Sequence, residues 1–157
     1  MLLKVALFLH IIAALFWVGG MLFLTLVIVP FLNTLQDPRE KSRIYQIVGK
    51  RYRSLGWVAI ITLLITGPVV LYALYGISLR GLLDPAFHST HFGRTVAIKL
   101  TLVVIIVISS LVHDFFLGPM ARNSPRFSFY AKVFGRSNLV IALLIVLFAV
   151  LIRAGGM

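Results

Sequence analysis

Four ionisable side chains interrupt long apolar runs of the chain: His10, Lys99, His113 and Asp114. A neutral imidazole ligates iron or copper, or moves a proton, through whichever ring nitrogen carries the lone pair. A lysine in such a run can pair with a carboxylate or a phosphate. His88 and His91 are three apart, an HxxH spacing that can share a metal ion, although that motif alone is weak. Arg80, Arg94 and Arg153 stand at the ends of the same apolar runs. Each group also has a plainer role. His10 can bond a helix carbonyl, Lys99 can extend its stem toward water, and His113-Asp114 can be an interfacial hydrogen-bonded pair.

The elements that must position these groups follow from composition. Of 157 residues, 61% are hydrophobic and 12% charged, which excludes both an ordinary cytosolic domain and a disordered chain. Cysteine is absent, which removes disulfides, thiolate metal sites, iron–sulfur clusters and haem attached through Cys. The net charge of +11 falls between apolar runs and not on a basic domain, so no nucleic-acid partner is expected. A span needs about 20 apolar residues. Four stretches approach or exceed that, predicting helices at about 3–32, 54–79, 94–117 and 136–153. The expected fold is all-α, an integral membrane four-helix bundle forming one transmembrane domain over residues 1–157. Val5 to Gln36 is uncharged and far longer than a signal-peptide core, so the first helix reads as an uncleaved span.

Charge asymmetry predicts the orientation. Residues 33–53 hold Arg39, Lys41, Arg43, Lys50, Arg51 and Arg53, and 118–136 hold Arg122, Arg126, Lys132 and Arg136. The connection 80–93 holds only Arg80 and Asp84 among fixed charges, with Arg94 just beyond it. Basic loops stay in the cytoplasm, so both termini and the second loop are expected outside, in a multi-pass protein of the inner (cytoplasmic) membrane. Asp37-Pro38-Arg39-Glu40 predicts the start of a short cytoplasmic helix containing Tyr45 and Val48. Gly67-Pro68 sits within the second span, and Gly118-Pro119 is expected to close the third.

Depth and facing sort the polar groups. His10 and Lys99 each lie about seven residues, roughly 10 Å, outward of their helix centres, with His113 a similar distance inward. His10 and Lys99 can therefore share a layer. Lys99, Ile106 and His113 form one stripe with Ser109 and Ser110, and Ala6, His10, Ala13, Ala14, Trp17 and Gly20 form a small-residue face. Thr62 and Thr66 follow at helical spacing on the second helix. A histidine in an apolar layer beneath Arg80, Arg94, Arg153 and Lys99 is suited to a b-type haem, with imidazole on iron and cations on the propionates. His88, His91 or no residue supplies the second axial ligand, and His113 is the candidate for a second haem. Trp17 would line the pocket.

Leu9-His10-Ile11-Ile12-Ala13-Ala14 with Trp17-Val18-Gly19-Gly20 resembles the opening helix of the superfamily shared by the CopD copper-resistance domain and the HemJ protoporphyrinogen oxidases. Lys99-Leu100 through His113 resembles its Lys-Leu…His segment, and Phe129-Tyr130 is similar to HemJ. Phe92-Gly93-Arg94, Leu111-Val112-His113-Asp114-Phe115 and Gly118-Pro119 look closer to bacterial CopD-like proteins. The resemblance implies a four-helix membrane protein with haem or copper chemistry, in which His10 and Lys99 correspond to functional residues of haem-b-binding HemJ proteins. A HemJ-like membrane oxidoreductase is one implied activity. Leu-Phe-Trp-Val-Gly-Gly at residues 15–20 departs from the HemJ-like Trp-Met-Ala-Gly version, and the Arg-rich first loop has no additional His.

The leading expectation is a haem-b-binding protein in electron transfer or redox catalysis, with the lipid bilayer and a membrane or extracytoplasmic redox partner around it. The alternative is copper transport or resistance of CopD type with an outer histidine site. Cu(I) favours sulfur donors, and only Met21 and Met120 lie away from the chain ends. A cofactor-free membrane subunit is the third reading, and homo-oligomerisation is compatible with all three. The absence of cysteine makes the topology directly testable. In spheroplasts, Ser89→Cys should react with a membrane-impermeant maleimide and Ser42→Cys should not; the opposite labelling would invert the orientation.

Overall fold

The computed structural model describes residues 1–121 and 124–157. Arg122, counted above in the third loop, lies outside the described residues. Helix α1 (Leu2–Phe23) runs through a π-helical segment, Leu24–Ile28, into α2 (Val29–Thr34), and α3 (Pro38–Tyr75) follows. A 3-10 turn, Gly81–Leu83, and the short α4 (Pro85–Ser89) lead to α5 (His91–Leu111). A second π-helical segment, Val112–Leu117, joins α5 to α6 (Gly118–Met120), and α7 (Pro125–Arg153) completes the fold. Among the described residues there are four helices long and apolar enough to cross a membrane: Leu2–Thr34, Pro38–Tyr75, His91–Met120 and Arg126–Arg153. No strand occurs among those residues. The fold is thus all-α and membrane-spanning, as the composition required.

Several helix ends differ from expectation. The short helix expected around Tyr45 and the second span expected at 54–79 are one continuous helix, Pro38–Tyr75. Hydropathy marks where a helix leaves lipid, whereas only caps and breakers mark where it ends. Here the Asp37 carboxylate caps the start by accepting from the Arg39 N–H at 2.8 Å, with Pro38 in the first turn. The end comes at Tyr75 and not 79, because Gly76 takes the left-handed conformation at φ 69°. The fourth helix likewise begins at Pro125 and not at 136. Gly118-Pro119 does not close the third helix, which continues to Met120.

Both π-helical segments end two residues before a proline, Pro30 or Pro119. Proline has no N–H and its ring crowds the preceding turn. A wider i→i+5 turn just before it relieves that clash without ending the helix.

Backbone contacts divide the chain into two compact units, Met1–Gly76 and Ile77–Met157. In the first, α1 and α3 pack antiparallel. Ala6, Ala13 and Trp17 are buried on α1, and Gly56, Ala59 and Ile60 on α3, so the small-residue face seen in the sequence is the packing face. The Tyr52 hydroxyl donates to the Trp17 carbonyl at 2.6 Å, and its ring lies across Gly20.

In the second unit α5 packs on α7, with Val96, Ile106 and Ala142 buried. At the centre of that pair the Ser109 hydroxyl donates to Asn138 Oδ1 at 2.5 Å, and Asn138 Nδ2 donates to Ser110 Oγ at 3.4 Å. Amide and hydroxyl side chains that bond across helices hold them together in lipid, where no water competes.

A Cβ at Gly20 would stand 2.3 Å from Tyr52 Cε2. Gly20→Val should therefore displace the Tyr52 ring, break its bond to Trp17 and destabilise the first unit by about 1–3 kcal/mol. Detergent unfolding monitored by circular dichroism would read this, and unchanged stability would contradict the packing.

Candidate cofactor site

His10 sits on α1, half-buried, with Nδ1 2.8 Å from the Thr66 hydroxyl oxygen of α3. That hydroxyl has a single proton, which it donates to the Thr62 carbonyl at 2.6 Å. Thr66 can then only accept from the ring, so His10 carries its proton on Nδ1 and its lone pair on Nε2. Thr66 is buried, and a Cβ at the neighbouring Gly67 would lie 3.6 Å from His10 Cε1. The ring is thereby held against α3 in one tautomer. Histidines that ligate metals are commonly fixed by a bond of this kind at the other ring nitrogen. The sequence had placed Thr62 and Thr66 on one face, but their connection to His10 depends on the pairing of α1 with α3.

Trp17, expected to line a pocket, is buried in the α1–α3 packing, and its carbonyl receives Tyr52. Lys99 is half-buried on α5. His10 and Trp17 belong to the first unit, and all the other candidate residues belong to the second.

Within the second unit, one end of the helix pair gathers much of the expected outer group. His91 Nδ1 bonds the Met157 carbonyl, and the Met157 N–H donates to Thr95 Oγ1 at 2.9 Å. These contacts bring the end of α7, with Arg153, to the start of α5, with Arg94. Both arginines are exposed, as is Arg80. His88 is held separately, with Nε2 donating to the Leu82 carbonyl at 2.7 Å, so its lone pair is on Nδ1. His88, in α4, and His91, at the start of α5, thus bond to different segments.

His113 Nδ1 lies 2.8 Å from the Asp114 carboxylate, and its Nε2 is 3.8 Å from where a Gly135 Cβ would stand. The pair belongs to the second π-helical segment and faces α7. Asn138 was not anticipated. It is buried between Ser109 and Ser110, and the available signal was a single amide within the last apolar run.

Among the described residues, no three His, Cys, Asp or Glu side chains are grouped so that they could hold a metal ion. Haem iron can be held by one histidine, whereas a copper centre draws on several donors. His10, with Nδ1 held by Thr66, is the residue whose donor chemistry matches single-histidine ligation.

These features define a multi-pass, all-α membrane protein with one oriented intramembrane histidine in its first helix pair. The chain belongs to the CopD family: the family described as Copper resistance protein D matches residues 46–152, a stretch that begins after the helix bearing His10. A protein of Aquifex aeolicus (strain VF5), described as an uncharacterized protein, is 37% identical over 150 residues, covering 95% of this chain and 94% of its own. No solved structure matches.

Thr66→Val should remove the acceptor that fixes the His10 tautomer. Nitrogen-15 NMR of histidine-labelled protein should show an Nδ1–H ring in the wild type and a mixture or the Nε2–H form in the variant. An unaltered tautomer would show that Thr66 does not set it.

Proposed function

We propose that this protein binds haem b and serves a redox or electron-transfer role, with the two helix pairs acting as one transmembrane domain. The single observation that carries this reading is the Thr62–Thr66–His10 relay. It leaves the lone pair on His10 Nε2, the atom that would ligate iron. Haem supplies one-electron redox chemistry when bound. Lys99 and the arginines Arg80, Arg94 and Arg153 are the cations proposed for the propionates, and Trp17 is proposed to border the pocket. His88, His91 and His113 are the further ligand candidates, and the protein would lie in the inner membrane with its termini outside.

Copper handling is the second reading, favoured by membership of the CopD family. It would draw on His88 and His91 at the end of the second unit, whose bonds to the Leu82 and Met157 carbonyls each engage one ring nitrogen and leave the lone pair on the other.

Optical spectra of the purified protein, oxidised and dithionite-reduced, separate the two readings when combined with a pyridine haemochrome and copper analysis. The expected result is a Soret band and a b-type haemochrome that His10→Ala abolishes and His88→Ala/His91→Ala retains. A colourless protein after haem-replete expression, carrying stoichiometric copper lost in the double histidine variant, would replace the haem reading with the copper one.

A further inference from the structure

The first unit is longer than a bilayer is thick, and the excess lies at one end. Leu2–Thr34 holds 33 residues and Pro38–Tyr75 holds 38. At 1.5 Å per residue these are about 50 and 57 Å, against a hydrocarbon core of about 30 Å. Contacts along the pair set its antiparallel register. His10 meets Thr66, Trp17 meets Tyr52, and Asn33 Oδ1 accepts from Lys41 Nζ at 2.6 Å. In this register the residues after Phe23 run level with Pro38 to Lys50. The former segment is apolar, with Leu26, Val27 and Phe31 exposed. The latter carries Arg39, Lys41, Arg43 and Lys50.

Four of the six cations of α3 share a face, with Arg51 to one side of it. At about 100° per residue, Arg39, Arg43, Lys50 and Arg53 fall within about 80° of one another. Lys41 and Tyr52 lie on the opposite side, where both bond to the first membrane-spanning helix. At the far end of the basic stripe, Pro38, Arg39, Ser42, Arg43, Gln46 and Ile47 line a shallow, open groove of ≈ 490 Å³ along α3. Gln46 Nε2 donates to Ser42 Oγ at 3.2 Å. No acidic side chain lines the groove, and its two guanidinium groups are one helical turn apart.

We propose that this groove seats the phosphate of an anionic phospholipid headgroup, with Arg39 and Arg43 supplying the charge-assisted hydrogen bonds and Ser42 a hydroxyl. Guanidinium forks match phosphate oxygens better than point charges do. The exposed Leu26, Val27 and Phe31 favour the acyl region, and the register then draws the basic stripe down to headgroup level. A soluble acidic partner would explain the arginines but not the apolar surface level with them.

The test uses the full chain in a neutral detergent, titrated with phosphatidylglycerol or phosphatidylcholine, with bound lipid counted by native mass spectrometry. Wild type should retain phosphatidylglycerol preferentially, and the preference should weaken as salt rises. Arg39→Gln/Arg43→Gln should bind phosphatidylglycerol about thirtyfold more weakly, whereas Arg136→Gln on α7 should behave as wild type. Arg39→Lys/Arg43→Lys, which keeps the charge without the fork, should fall between. Wild-type binding without headgroup preference would overturn the proposal. So would an unaffected double glutamine variant, an equal loss in Arg136→Gln, or displacement of the lipid by millimolar inorganic phosphate, which would make the groove a free-anion site. If the glutamine variant does not fold, the wild-type salt dependence and the lysine variant decide.

Discussion

A polar group within a bilayer has no water to bond, so every such group must find its partner inside the protein. The rest of this structure depends on that constraint. It dictates helices throughout the spans, and it explains where the few polar side chains point. Thr62, Thr66 and His10 form one chain of bonds across the first helix pair, while Ser109, Asn138 and Ser110 form another across the second. Among the described residues, no buried side-chain nitrogen or oxygen lacks a partner. Satisfying a hydroxyl and satisfying an imidazole become the same act at Thr66, and the ring's chemistry is set as a by-product of the packing requirement.

The two units meet this constraint with different consequences. In the second, the amide and hydroxyl cluster lies between α5 and α7, and its effect is cohesion. In the first, the bonded chain includes an imidazole ring, held through Nδ1. An intramembrane histidine used only for cohesion would be served by any acceptor on a facing helix. Like any such acceptor, the Thr66 hydroxyl, already committed to its own helix, bonds only a protonated Nδ1, so cohesion and tautomer are set together.

Much of this was legible in the sequence, for reasons that also explain what was not. The four spans were readable because apolar length is a one-dimensional property. His10 stood out because an ionisable residue in such a run is rare, and the small-residue face around it did become the packing face. Helix ends were less legible: Lys50, Arg51 and Arg53 mark the limit of the apolar run, but nothing there breaks the backbone, so α3 continues to Pro38. The role of Thr66 requires the direction in which one hydroxyl proton points, and that of Asn138 requires the pairing of α5 with α7. Both are properties of three-dimensional register. The juxtaposition of an apolar segment of the first span with the basic stretch of α3 is another, since neither segment is unusual when read alone.

The two π-helical turns also bear on how chains of this kind can change in length. A π turn is, in effect, an α-helix that has absorbed one inserted residue. Deleting one residue from Leu24–Ile28 or Val112–Leu117 would return the segment to α-helical winding and leave the facing of everything beyond it unchanged. A deletion elsewhere in the same helices would rotate the downstream half by about 100° and turn its packed side toward lipid. Among the described residues, the segments ahead of Pro30 and Pro119 thus mark places where the helices can lose a residue while their neighbours keep register.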